Sequence, residues 1–351
     1  MAGHRADDDV AVAHADSHAR LERVSLVTRE LVEGGTAPLS AGATRARGAG
    51  DRARAEEPDA LRTCFERDRD RILHANAFRR LAGKTQVFVF PEDHMRTRLT
   101  HALEVTQVAV GVARPLGLNV ALTEAIALGH DCGHGPGGHA SEEALDPYLP
   151  GGFDHAPWGA DVALAPLNLC AETLDGIRNH SWSRPAPATP EGEVVSWADR
   201  FAYVCHDFED AVAAGVVAPG ELPVAVSDVV GVQRGEQLGS LIRAMIATTV
   251  ATGWIGLDAR HAEALAAFRQ FNYDRIYLRP ASRTQAGRVV DMLRALVEHY
   301  ASHPEHLEEG EGDPLTRAVT YVAGMTDRFA CRQAVDLLAW PEARLPTGID
   351  R

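Results

Sequence analysis

Residues 122–139 read LTEAIALGHDCGHGPGGH: an apolar run, a His-Asp pair, then a glycine-rich loop carrying two further histidines. Leu122, Ile126 and His130 fall on one helical face at i, i+4 and i+8, and Asn119 is suited to cap the start. An apolar helical stripe therefore ends on His130, with the Asp131 carboxylate beside it. The glycines after it let the backbone turn sharply, so that His134 and His139 can point back toward the helix end.

Two other stretches belong with this one. In the helix expected over 97–113, His101 leads Val105, Val108 and Val112 along an aliphatic stripe. A lone histidine there reads as a satisfied core residue. Two such imidazoles with a carboxylate are costly unless paired or coordinated. The third stretch, SWADRFAYVCHDFEDAV (196–212), has Phe201, Val204, Cys205, Phe208 and Val212 as its core face. Asp199, Tyr203, His206, Asp207 and Asp210 lie largely opposite. Alone, that face reads as solvated; Tyr and His among acids suit a pocket wall better. His101, His130, Asp131 and Asp199 together form an H…HD…D set of two imidazoles and two carboxylates. That mixed N/O set suits Mn²⁺ or Mg²⁺, with Fe²⁺, Zn²⁺ or Co²⁺ as alternatives, and leaves room for a water and a phosphate oxygen.

Composition narrows the field. The chain has 351 residues, 45% of them hydrophobic, and a net charge of −14. An acidic balance argues against a broad nucleic-acid or anionic-membrane footprint, though not against a nucleotide in a local basic pocket. Five scattered cysteines do not form a disulfide framework, which points to a reducing, cytoplasmic setting. No apolar run reaches spanning length.

Helical patterns dominate from residue 59: RDRDRILHANAFRRLAGK (67–84), then 97–113, 119–131, 170–180, 192–214, 235–252, 259–271, 283–300 and 313–338. TQVFVF (85–90) is the one convincing strand, stopped by Pro91. Residues 34–58, rich in Gly, Ala and Arg, read as a flexible linker closing an N-terminal arm (1–58), with Arg45, Arg47, Arg52 and Arg54 solvated. One catalytic domain with a C-terminal helical extension is expected over 59–340, then a tail at 341–351. The fold class is all-α, with at most a small β-ribbon.

RDRDRILHANAFRRLAGKTQVF, RTRLTHALEV, LTEAIALGHDCGHGPGGHASEEAL, GIRNHS, ADRFAYVCHDFEDA and YVAGMTDRFA, taken in order, resemble the deoxyguanosine triphosphate triphosphohydrolase family. That family lies within the HD superfamily of metal-dependent phosphohydrolases, and the likeness spans roughly residues 60–335. It implies an HD-type helical fold and cleavage of deoxynucleoside triphosphates to nucleoside and tripolyphosphate. It also implies a homo-oligomer, often a hexamer, and a nucleotide effector. By the same resemblance His101, His130, Asp131 and Asp199 are the metal ligands. Arg98 faces the phosphates, His139 is the catalytic histidine oriented by Glu142, and His134 lines the triphosphate channel. Tyr203 stacks on the deoxyribose, Asp207 accepts its 3′-hydroxyl, and His155 belongs to the substrate site. His180, in GIRNHS, is expected to fix helix packing, and YVAGMTDRFA to be a structural signature near a subunit contact.

The chain departs from the family in two places. HGPGGH (134–139) has glycines around Pro136 where the family has Pro-Pro-Phe, so a more flexible loop is expected. In FDHAPWGAD (153–161), Ala156 and Trp158 replace amide side chains, with Trp158 left to stack on any base, so weak base selectivity is expected. Two other functions stay open: an HD phosphohydrolase acting on another nucleotide, such as a monophosphate or signalling nucleotide, and a catalytically idle nucleotide-sensing oligomer.

Overall fold

The computed structural model describes residues 3–7, 10–22, 24, 26–27, 38–91, 94–308 and 312–348. Helices dominate. The chain opens with strands β1 (His4–Asp7) and β2 (Val10–Val12), followed by helices α1 (Cys64–His74) and α2 (Asn76–Arg80). Then come α3 (Arg98–Ala113), α4 (Val120–Gly129), α5 (His139–Leu145), α6 (His155–Trp158), α7 (Ala171–Asn179) and α8 (Pro190–Ala213). The C-terminal part holds α9 (Val224–Val230), α10 (Arg234–Thr252), β3 (Leu257–Asp258), α11 (Ala259–Asn272) and α12 (Pro280–Ser302), then α13 (Pro314–Ala323) and α14 (Asp327–Leu338).

The caps follow from the sequence. The Asn119 side chain accepts from the Leu122 amide at the start of α4, and Thr189 does the same from Gly192 at α8, where Pro190 occupies the first helical position. Thr63 and Glu66 form a reciprocal capping box on α1. The expected helix over 67–84 breaks at Ala75, whose extended backbone (ψ 145°) ends α1. That over 313–338 is interrupted at Gly324–Thr326.

Two apolar cores organise these helices. The larger gathers α1, α3, α4, α7, α8, α10 and α11 around Val105, Ile126 and Phe201, all fully buried. The smaller packs α12, α13 and α14 against α5 around Leu293, Leu296 and Val322. Within the larger core α3 lies between α4 and α8, which places the start of α3, the end of α4 and the middle of α8 side by side.

The β structure is not where the sequence suggested. Residues 85–90 form no strand; Thr85 makes only an isolated bridge to Thr97. Its apolar side chains instead serve as cavity wall and core: Val87 and Phe88 line the central cavity. The ribbon is built by the N-terminal segment, in the order β1-β2-β3, all antiparallel, with Ala11 opposite Leu257.

The Arg-rich stretch also differs from its expected behaviour. Residues 34–37 lie outside the described residues, as do 349–351 of the tail. Residues 38–58, however, are tied to the body. Arg52 and Asp68 form an ion pair at 2.7 Å, with side chains 1% and 0% exposed. Arg52 also donates to the carbonyls of Ala49, Cys64 and Asn168. Asp68 accepts from the Cys170 amide and the Thr173 hydroxyl. Every polar group of that pair is occupied, which is the condition under which a buried pair is tolerated. The five cysteines are free and buried. Among the described residues no helix is long and apolar enough to cross a membrane.

Candidate metal centre and cavity

His101 stands in the first turn of α3, His130 and Asp131 follow the last residue of α4, and Asp199 lies midway along α8. The three helix segments bring these four side chains together. His101 Nε2 is 3.0 Å from Asp199 Oδ1 and 3.9 Å from Asp131 Oδ2. His130 Nε2 is 3.5 Å from Asp131 Oδ1 and 3.7 Å from Asp199 Oδ1. Ligand atoms about 2.1 Å from one octahedral ion stand roughly 3 Å apart when adjacent and 4.2 Å when opposite, and the observed spacings fall within that range. The His130 ring is set for coordination: its Nδ1 donates to the Ala127 carbonyl at 2.7 Å, leaving a lone pair on Nε2. Nε2 is buried and has no hydrogen-bond partner among the described residues. The donors form two overlapping groups, one of His101, His130 and Asp131 and one of His130, His180 and Asp199, each spaced to hold a divalent cation.

Electrostatics agree with the geometry. Burial opposes ionisation of Asp131, but the Arg98 guanidinium, 2.7 Å away, holds its carboxyl well below the usual range. Burial likewise opposes ionisation of Asp199; the hydrogen bond from His101, together with the nearby His130 and His180 rings, lowers that carboxyl too. Two ionised carboxylates in a buried site are the charge state a cation requires.

The ligand set opens on a cavity of about 440 Å³, large enough for a nucleotide. Of the other residues expected from the sequence, Arg98, His134, His139, His155, Tyr203 and Asp207 line it, while Glu142 stands behind His139 and His155. Arg98 is buried, and its Nε and Nη2 have no partner. His139 begins α5 and is 73% exposed, at the cavity mouth; its Nδ1 is 3.4 Å from Glu142 Oε2. The other oxygen of Glu142 pairs closely with His155 Nδ1, so one carboxylate holds two histidines. Burial works against charge on Glu142, yet these two bonds keep its pKa far below normal, and in return raise that of His155 against its own burial. His134 stacks on His155 with centroids 3.7 Å apart, and burial beside Arg98 keeps its pKa well below the ordinary imidazole value. Deeper in, Tyr203 accepts a hydrogen bond from Arg269 (3.0 Å), and Tyr277 donates to Asp207 Oδ2. Asp207 Oδ1 is buried without a partner.

Several residues went unrecognised in the sequence or were read differently. His180 is not a packing residue alone: its Nε2 is 3.2 Å from His155 Nε2, its ring lies edge-on to His130, and it lines the cavity. Burial and the neighbouring His130 and His155 lower its pKa to about 3. Arg200 sits 3.5 Å over the Trp182 ring, with Nε and Nη1 buried and unpartnered. Its place directly after Asp199 was the only sequence signal. The α8 face expected to be a pocket wall lines the cavity with Asp199, Tyr203 and Asp207, whereas His206 approaches Glu104 at 3.0 Å and Asp210 pairs with Arg96.

Trp158 and Ala156 do not reach the cavity. Ala156 is fully buried, and Trp158 packs against Phe153 (4.9 Å) at the smaller core. The expectation of weak base selectivity from this segment therefore loses its basis. The glycine loop is not loose either. Residues 131–138 are all buried, and a Cβ on Gly137 (φ +74°) would come within 2.5 Å of Val289.

Residues 98–204 match the HD domain, and residues 255–335 match the phosphohydrolase-associated domain. A deoxyguanosinetriphosphate triphosphohydrolase-like protein of Caldanaerobacter subterraneus subsp. tengcongensis is 38% identical over 93% of this chain and 97% of its own length. One of Clostridium perfringens is 40% identical over 80% of this chain and 89% of its own. The crystal structure of a hypothetical protein from Aquifex aeolicus shares the fold, with a TM-score of 0.52 and 18% identity, over 78% of this chain and 69% of that one. The helical HD architecture, its His/Asp cluster and these near full-length likenesses place the chain in the family of deoxyguanosinetriphosphate triphosphohydrolase-like proteins, within the HD-domain phosphohydrolases.

Proposed function

We propose that the cavity binds a deoxynucleoside triphosphate and that the chain hydrolyses it to deoxynucleoside and tripolyphosphate. The observation that carries this reading is the set of buried polar atoms, on side chains lining one cavity, that have no hydrogen-bond partner among the described residues: Arg98 Nε and Nη2, Arg200 Nε and Nη1, and Asp207 Oδ1. Such groups are costly when left unsatisfied. Phosphate oxygens suit the two guanidinium forks, and a sugar hydroxyl suits the free carboxylate oxygen.

A divalent cation held by His101, His130, Asp131 and Asp199 would supply Lewis acidity and lower the pKa of a water. The chain's own groups do the rest. Arg98 orients Asp131 with one nitrogen and offers two to the triphosphate. Arg200 is fixed by its stack on Trp182. Tyr203 lies one helical turn from both Asp199 and Asp207, where its ring packs against a deoxyribose and leaves no room for a 2′-hydroxyl. Water adds to the α-phosphorus, the bond to the 5′ oxygen breaks, and that oxygen takes its proton from His139, whose other nitrogen faces Glu142. One water yields one deoxynucleoside and one tripolyphosphate.

The test is a panel of the four deoxynucleoside triphosphates and GTP with Mn²⁺, resolving nucleoside, orthophosphate, pyrophosphate and tripolyphosphate. Deoxynucleoside and tripolyphosphate are expected in equal amounts, with dGTP cleaved in preference to GTP. His139→Ala should lower turnover by roughly 10²–10⁴-fold with bound manganese unchanged. Orthophosphate or pyrophosphate as the first product would overturn the reading.

A further inference from the structure

The segment YVAGMTDRFA (321–330) is far from the metal centre in sequence and takes no part in the chemistry above. Its Asp327, the first residue of α14, is nevertheless buried with its carboxylate turned toward the glycine loop. Oδ1 accepts from the Gly137 amide at 2.8 Å. Oδ2 accepts from the Thr85 amide at 2.9 Å and the Thr85 hydroxyl at 2.6 Å. Beside it, the buried Lys84 ammonium donates to the carbonyls of His134 and, at 3.0 Å, Ala323. The loop between His134 and His139 is thus gripped at both ends of its turn by groups that also grip the α13–α14 junction. Ser141 completes the hold, accepting from the Gly135 amide and donating to the Gly138 carbonyl.

We propose that Asp327 is a positioning residue: through Gly137 and Thr85 it fixes the loop that presents His134 and His139 to the cavity. Three donors converge on this one carboxylate. An amide in its place would turn an N–H toward one of them, and an alanine would leave all three buried and unsatisfied. Gly137 and Gly138 carry positive φ (74° and 62°), and a Cβ on Gly138 would come within 2.7 Å of Arg98 Nη2. The loop therefore passes hard against the Arg98 guanidinium. Releasing the Gly137 amide lets it drift from that register and moves His139 relative to the cavity. Displacement of a catalytic group by about an ångström costs on the order of 10²-fold in rate. The role rests on the catalytic part assigned to His139 and is independent of which nucleotide is the substrate.

The test compares wild type, Asp327→Asn and Asp336→Asn, the last removing an exposed charge from the same helix. Hydrogen exchange is followed in the 130–145 peptide, alongside steady-state turnover of dGTP with Mn²⁺ and bound manganese. In Asp327→Asn, exchange at 134–139 should quicken by about tenfold or more, and kcat should fall by roughly 10- to 100-fold. KM and manganese content should hold within about threefold of wild type, and Asp336→Asn should match wild type throughout. Unchanged exchange at 134–139, or faster exchange with unchanged kcat, overturns the proposal. Should Asp327→Asn not fold, Thr85→Val removes one of the three donors and carries the same comparison at smaller amplitude. If the wild type turns over no nucleotide, the functional reading fails and the exchange comparison alone decides the brace.

Discussion

Asp207 illustrates how a single side chain can read both burial and ligand chemistry. Burial pushes its pKa up to about 7 despite the Tyr277 hydroxyl donating to it. The folded chain thus keeps a proton that the unfolded chain, with an ordinary carboxyl near 3.8, releases. Linkage then makes this residue's contribution fall as pH rises from about 4 to about 7, and level off above. Asp207→Asn removes the titration. Its stability relative to wild type, measured by urea unfolding, should increase steadily between pH 5 and pH 7 and stay constant beyond. Parallel pH profiles for the two proteins would show that Asp207 ionises normally. At this scale the sequence marked the histidines that the fold gathers into one cluster and left unmarked the donors that line the cavity beside them. His101 and His130 announced themselves by interrupting aliphatic stripes. Arg200, Arg269 and Tyr277 carry no such mark, because an arginine or tyrosine on a helix looks the same whether it faces water or a cavity.

At the scale of elements, the best-read parts were helices whose start and core face were both written locally, such as α4 with Asn119, whereas α8 begins at Pro190, two residues ahead of the start expected at 192. TQVFVF failed for the opposite reason. Its β-prone residues found no neighbouring strand and were used as wall and core instead. Trp158 failed similarly, since only the packing of α6 on Phe153 tells that its ring turns away from the cavity. The Arg-rich stretch before α1 was misread because composition reports average solvation. It cannot show that one arginine of four meets a buried aspartate. That pair makes a sharp prediction. Arg52→Ala leaves Asp68 charged and buried, and should destabilise the protein by roughly 3–5 kcal/mol in urea unfolding. Arg54→Ala, whose side chain makes only an exposed contact to the Pro166 carbonyl, should cost far less. Equal losses would mean that the Arg52 pair adds nothing beyond surface packing.

For the molecule as a whole, a cation held by the His/Asp cluster would tie folding to ligand binding. Its donors come from α3, the end of α4 and α8, which meet only when the larger core is formed. A cation that binds this arrangement and not the unfolded chain stabilises the fold by mass action, about 2.7 kcal/mol at a hundredfold excess over Kd. Adding Mn²⁺ to chelator-treated protein should therefore raise its melting temperature in a concentration-dependent way. His130→Ala should lose most of that rise. An equal rise in the variant would place the stabilising cation elsewhere.

The ribbon that joins residues 10–12 to residues 257–258 has a consequence for how the protein is made. Ala11 pairs with Leu257, some 246 residues further on. During synthesis the first segment emerges long before its partner exists. At about 5–20 residues per second, the wait is roughly 12–50 s. Throughout it Val10, Ala11 and Val12, all buried in the finished protein, lack the strand that covers them. Residues 10–12 are thus sealed only after residues 257–258 have been made, and until then they stay open to chaperones, proteases and stray strand pairing.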